Sequence, residues 1–221
     1  TLDGHPEGSR GSRIDRLVEQ AVALQHDLVS SLDWGANPDT SRSRLSRALA
    51  TIAFEHGSAV LELLACGKYT SATSLLRLQY EALVRSFWLH YCASDALVTR
   101  LADESRLASS EKLPALGEML DALGESAPGS LVRSLIEFRD SSWKPLSSYI
   151  HGGIHATRWA GTGFPAQILV QVLQICDGML VFAALHLADL SGDRVNGLTV
   201  VGLAERHSAS LPSKRPGSGA V

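Results

Sequence analysis

Three charged side chains recur every fourth residue in RLQYEALVRSFWLH, residues 77–90: Arg77, Glu81 and Arg85. The surrounding residues are apolar enough to make a buried helix, and side chains four apart on a helix share a face. Charges in such a setting are paired with one another or line a site, because an unpaired buried charge is strongly disfavoured. A second polar cluster follows at residues 149–155, Tyr149-Ile-His151-Gly-Gly-Ile-His155. These two clusters hold the residue types that could do chemistry.

With Arg77 placed at 0° and about 100° per residue, Trp88 falls at about 20°, Glu81 at about 40°, Ser74 at about 60° and Arg85 at about 80°. They form one polar and aromatic stripe. A second, narrower polar wedge holds Gln79, Ser86 and His90. The stripe has two readings. In one, Glu81 neutralises both arginines, with Glu55 or Glu62 supplying further negative charge, and the network holds a bundle in register. In the other, Arg77 and Arg85 face a groove and grip an anion such as phosphate, carboxylate or an RNA backbone, for which the planar guanidinium fork is suited.

The histidine cluster is open in the same way. A histidine on a Gly-rich turn can move a proton near neutrality. It can equally cap a helix end or bond a nearby Tyr, Ser or Glu. His151 and His155 are four apart, as metal ligands on a helix are, but Gly152 and Gly153 spoil that geometry and no acidic ligand sits at a fixed offset. No metal or other cofactor is expected. G-x-S-x-G, P-loop and dinucleotide-binding glycine patterns are absent from the sequence.

The elements that would carry these residues read as helices. Apolar residues recur at helical intervals from Ile14 to Leu28, and GANPD at 35–39 breaks that helix. Thr40 or Ser41 caps a second helix to about Cys66, and a third covers about 69–92. Shorter helices are expected from Ser94 to about Ser109, from about Glu111 to Leu123, and from Ser130 until Pro145 kinks or ends it. The Gly-rich stretch 151–163 is not expected to be regular helix throughout. Pro165 suits the first turn of a long apolar helix to about Leu190. The expected architecture is therefore all-α, a single-domain bundle of about six to seven helices over residues 12–191. Residues 1–11 and 192–221 are expected to be a disordered leader and a mobile tail.

The chain has 221 residues, 45% of them hydrophobic, and a formal net charge of −3, which gives no general attraction to nucleic acid; DNA is not an expected partner. Three scattered cysteines, Cys66, Cys92 and Cys176, fit no disulfide framework. The longest apolar run, Met179–Leu190, contains His186 and Asp189 and is too short to span a bilayer. With no apolar leader in TLDGHPEGSRGSR, a soluble cytoplasmic protein without membrane partners is expected.

Two segments resemble a group of bacterial all-helical proteins related to the HEPN superfamily. SATSLLRLQYEALVRSFWL (71–89) is similar to that group's Arg-x-x-x-Glu helix, and WKPLSSYIHGG (143–153) to its Ser-x-x-x-His segment before the last long helix. Arg77, Glu81, Ser147 and His151 are the matching positions, and the resemblance spans about residues 45–190. It implies a HEPN-like fold, a metal-independent RNA-cleaving activity in a toxin or phage-defence setting, and a homodimer. Arg77, Glu81 and His151 would then be catalytic, with Arg85, Ser147, Tyr149 and His155 binding RNA or another anion. The HEPN signature pairs an Arg with a His four to six residues on, and Arg85-Ser-Phe-Trp-Leu-His90 is one literal match. On a helix those two side chains diverge by about 140°, so Arg77 or Arg85 with His151 is the better pair.

Overall fold

The computed structural model describes residues 7–32, 40–103, 112–192 and 194–212. Residues 1–6, the 35–39 breaker, the 104–111 stretch where one expected helix ends and the next begins, and the end of the tail at 213–221 lie outside them. The described residues form nine α-helices and one 3-10 turn, with no strand among them. The all-α expectation holds at that level, and the bundle has more helices than the six to seven expected.

Three long helices make its centre. These are α2 (Ser41–Ala65), α3 (Tyr69–Tyr91) and α8 (Ala166–Leu190). Thr40 caps α2, its hydroxyl accepting from the Ser43 N–H at 3.1 Å. Gly67, at φ 71°, makes the left-handed turn into α3. Ser46 meets Ser86, and a Cβ on Gly57 would meet Gln79, so α2 and α3 run antiparallel. That Cβ would lie 2.5 Å from Gln79 Nε2 and 2.6 Å from Leu180 Cδ2, so the close approach of all three helices needs glycine at 57.

The remaining helices wrap this centre: α1 (Glu7–Ser31), α4 (Asp95–Leu101), α5 (Leu116–Ser126), α6 (Gly129–Ile150), α7 (Ile154–Thr162) and α9 (Arg194–Arg206). α1 packs on α8 and α9, while α5 and α6 pack on α3. Tyr80 of α3 is fully buried and donates to the Leu135 carbonyl of α6 at 2.8 Å, with its ring against Phe138.

Two expectations, those for the chain ends, are corrected, and those for Pro145 and the Gly-rich stretch are narrowed. α6 passes through Pro145 and continues to Ile150, because Leu146 and Tyr149 beyond the proline are both buried. Burial there outweighs the lost backbone hydrogen bond. Part of the Gly-rich stretch is regular helix, α7; Gly152 (φ 63°) and Gly153 end α6, and the Ser148 hydroxyl accepts from the His155 N–H at α7's first turn. α1 begins at Glu7, inside the expected disordered leader. Most of the expected tail is also ordered: α9 and the 3-10 turn at Ser208–Ser210 pack on α1 and α8, with Val200, Leu203 and Ser210 buried. His207 Nε2 lies 3.0 Å from Asp27 Oδ2 of α1 and anchors this segment.

The apolar character of α8 extends beyond Met179–Leu190. α2 and α8 are both long and apolar enough to cross a membrane by length and composition, and 61% of the relevant window of α8 is buried within the bundle.

Candidate functional site

The stripe on α3 forms one connected network. Glu81 accepts from Arg77 Nε at 2.9 Å with one carboxylate oxygen, and from Arg85 at 2.9 Å with the other. Arg77 also donates to the Ser147 hydroxyl of α6 at 2.6 Å, and its guanidinium lies 3.9 Å from the centre of the Trp143 ring. Ser147 in turn donates to the Trp143 carbonyl at 2.8 Å. Trp143 and Ser147 are four apart on α6, so one helical face presents both the ring and the hydroxyl to Arg77.

Arg77 and Glu81 side chains are each 16% exposed, while Arg85 is 35% exposed and forms the rim. Two guanidiniums on one carboxylate leave one positive charge over. Glu55 and Glu62 are exposed, and neither pairs with the stripe among the described residues.

Of the positions carrying the resemblance, Arg77, Glu81 and Ser147 are brought together. His151 is placed differently. It is the exposed residue just after α6, one turn beyond Ser147, whose carbonyl accepts its N–H at 3.3 Å. Its side chain bonds neither Arg77 nor Glu81 among the described residues. His155 is exposed across the Gly152–Gly153 joint. Tyr149 points the other way: it is buried, its ring 5.9 Å from Phe164, and burial raises its hydroxyl pKa. No group of three or more His, Cys, Asp or Glu is placed to hold a metal ion among the described residues.

The literal Arg85-x4-His90 match is split, as the helical wheel requires. Arg85 joins Glu81, while the His90 ring packs 5.3 Å from His186 of α8. The second polar wedge of α3 leads to a separate buried cluster. Gln79 and Ser86 are fully buried, and Ser46, Ser86 and His186 bond one another where α2, α3 and α8 meet. Burial holds the His186 imidazole neutral, its pKa pushed down to about 3. Burial lowers that of His90 as well, and His90 Nδ1 is buried without a hydrogen-bond partner among the described residues.

Asp177 of α8 was not singled out by its sequence context. It is fully buried, and neither carboxylate oxygen has a hydrogen-bond partner among the described residues. Desolvation raises its pKa to about 7. The nearby Ser210 hydroxyl opposes that rise but directs its own proton to the His207 carbonyl at 3.0 Å. Polar residues inside an apolar run, His186 and Asp177 in α8 and Gln79 and Ser86 in α3, were the available signal. Ser46 gave none, because a serine near a helix start is ordinary.

No curated protein and no solved structure matches the chain. A family model matches residues 50–213, which include every candidate position from Arg77 to His155, and the chain belongs to that family, DUF6988, a family of unknown function.

Proposed function

We propose that this protein is a non-catalytic helical binding module that receives an anionic group at the Arg85 end of the α3 stripe. One observation carries this reading: Arg77 is committed to Glu81, Ser147 and the face of Trp143, while Arg85 gives one nitrogen to Glu81 and stays 35% exposed. Arg77, Glu81 and Ser147 then fix the frame, and Arg85 offers its remaining donors to phosphate, carboxylate or an RNA backbone.

The RNA-cleaving reading is second. The family match carries no link to the HEPN superfamily. What supports this reading is that Ser147, held by Arg77, lies one turn before an exposed histidine at the α6–α7 joint. A homodimer belongs to the same proposal, supported by the exposed Val195, Leu198 and Val201 along α9. A reducing, cytoplasmic setting is supported by three free cysteines.

The test is titration of a short single-stranded RNA and of inorganic phosphate into the wild type and Arg85→Gln, with RNA integrity followed in parallel for wild type and His151→Ala. Binding weakened about fivefold by Arg85→Gln, with RNA intact throughout, supports the binding module. Cleavage by the wild type that disappears in His151→Ala overturns it in favour of the nuclease.

A further inference from the structure

Away from the α3 stripe, residues of α3, α6 and α8 line an open groove of about 370 Å³. Phe87, Leu131 and Phe182 give it apolar walls, and His186 and Asp189, three apart on α8, give it a polar side. The volume suits a small organic molecule, since such sites span roughly 300–1,000 Å³.

The protonation of His186 is set by the partners of its ring. Ser86 donates its one proton to the Ser46 carbonyl at 2.7 Å, and Ser46 donates its own to the Ser86 carbonyl at 2.8 Å. His186 Nε2 lies 2.9 Å from Ser46 Oγ, and the ring is also hydrogen-bonded to the Ser86 backbone, to which it donates. Nε2 therefore carries the hydrogen and donates it. Nδ1 then keeps a lone pair. With the imidazole neutral through burial, His186 offers an acceptor to the groove and no positive charge.

Among the described lining residues Asp189 is the one formally charged group, and it is exposed, with no ion pair among the described residues. The nearby Arg42 is occupied: it donates to the Leu89 and Ala93 carbonyls at 2.6 Å each and to Asp95 at 2.8 Å. The groove thus combines aromatic faces, an acceptor nitrogen and a carboxylate. Aromatic faces and carboxylates both attract organic cations.

We propose that this groove binds a small organic ammonium ion with an aryl or short alkyl arm. The ammonium donates to His186 Nδ1 and to the Asp189 carboxylate, and the arm lies between Phe87, Leu131 and Phe182. The site is independent of the Arg85 reading and of opposite charge preference.

Calorimetric titration of the full chain with 2-phenylethylammonium tests it, with 2-phenylethanol and phenylacetate as neutral and anionic counterparts. The expected result is saturable binding of the ammonium, weakened about fivefold by Asp189→Asn, whose exposed position spares the fold. 2-Phenylethanol binds more weakly and equally to both proteins. In ¹⁵N NMR, addition of the ammonium moves the His186 Nδ1 resonance. No saturable binding, equal ammonium affinity in wild type and Asp189→Asn, or a preference for phenylacetate would each overturn the proposal.

Discussion

Arg77 and Ser147 stand 70 positions apart and are joined by a 2.6 Å hydrogen bond, with Arg77 held at the same time by Glu81 and by the face of Trp143. This contact ties α6 to α3 beyond Pro145, where the proline weakens α6 itself. Ser147→Ala is expected to lower unfolding free energy by about 1 kcal/mol, the usual net worth of one hydrogen bond. Glu81→Gln is expected to cost about 2 kcal/mol, because it leaves two guanidiniums with no counter-charge between them. Chemical denaturation of both, with Arg77→Ala and the Arg77→Ala/Ser147→Ala double variant, reads the coupling. Additive losses would show that Arg77 and Ser147 do not act together.

At Gly57 two effects oppose each other. Alanine is a better helix former than glycine by about 1 kcal/mol. Its Cβ, however, would enter the space of Gln79 and Leu180 at 2.5 and 2.6 Å. Overpacking of that kind costs about 1–3 kcal/mol, so Gly57→Ala is expected to lower the melting temperature. Gly117, with open space around its Cβ position, is the control: Gly117→Ala is expected to be neutral or mildly stabilising.

Asp177 gives the stability a defined pH dependence. Its folded pKa is raised from 3.8 to about 7, so the native state holds a proton that the unfolded chain releases. The contribution is favourable at low pH, shrinks as pH rises from about 4 to about 7, and is a constant penalty above that. Asp177→Asn is expected to gain about 1–3 kcal/mol at pH 8 and nothing at pH 4. Denaturation at both pH values measures the difference. An equal gain at the two would show that Asp177 is not protonated in the folded state.

His186 acts in the opposite direction. Its folded pKa is depressed from 6.5 to about 3, so the unfolded chain takes up a proton that the native state refuses. Its contribution is complete above pH 6.5 and is lost as pH falls toward 3, with His90 shifted the same way. Between about pH 4 and 6.5 this loss runs against the gain from Asp177. In Asp177→Asn the stability is therefore expected to rise with pH across that interval more steeply than in the wild type. ¹⁵N NMR of His186 in the folded protein checks the premise: a neutral, Nε2-protonated ring is expected at pH 5, and a charged one would refute it.

The candidate site was legible to the extent that it was local. The spacing of Arg77, Glu81 and Arg85 on one helix is enough to predict that Glu81 bridges them, and both bridges form. The wheel also separates His90 from Arg85, and the two do point into different neighbourhoods. The partner of Arg77 came instead from across the bundle. Ser147 is an ordinary helical serine until α6 is laid antiparallel on α3, and Trp143 becomes a platform only in that register. His151, one turn beyond Ser147 at the exposed end of α6, stays out of the network.

Local periodicity, caps and breakers determined an all-helical chain with long second, third and last core helices, since each of those signals acts within a few residues. Only packing decided that α6 runs through Pro145 and that residues 194–206 form α9, because the deciding energy is burial of Leu146, Tyr149, Val200 and Leu203 against distant helices. Packing also decided which polar residues meet. The Ser46–Ser86–His186 cluster and an Asp177 with no partner among the described residues exist because α8 is buried on nearly all sides, where any polar residue must either find a distant partner or shift its protonation.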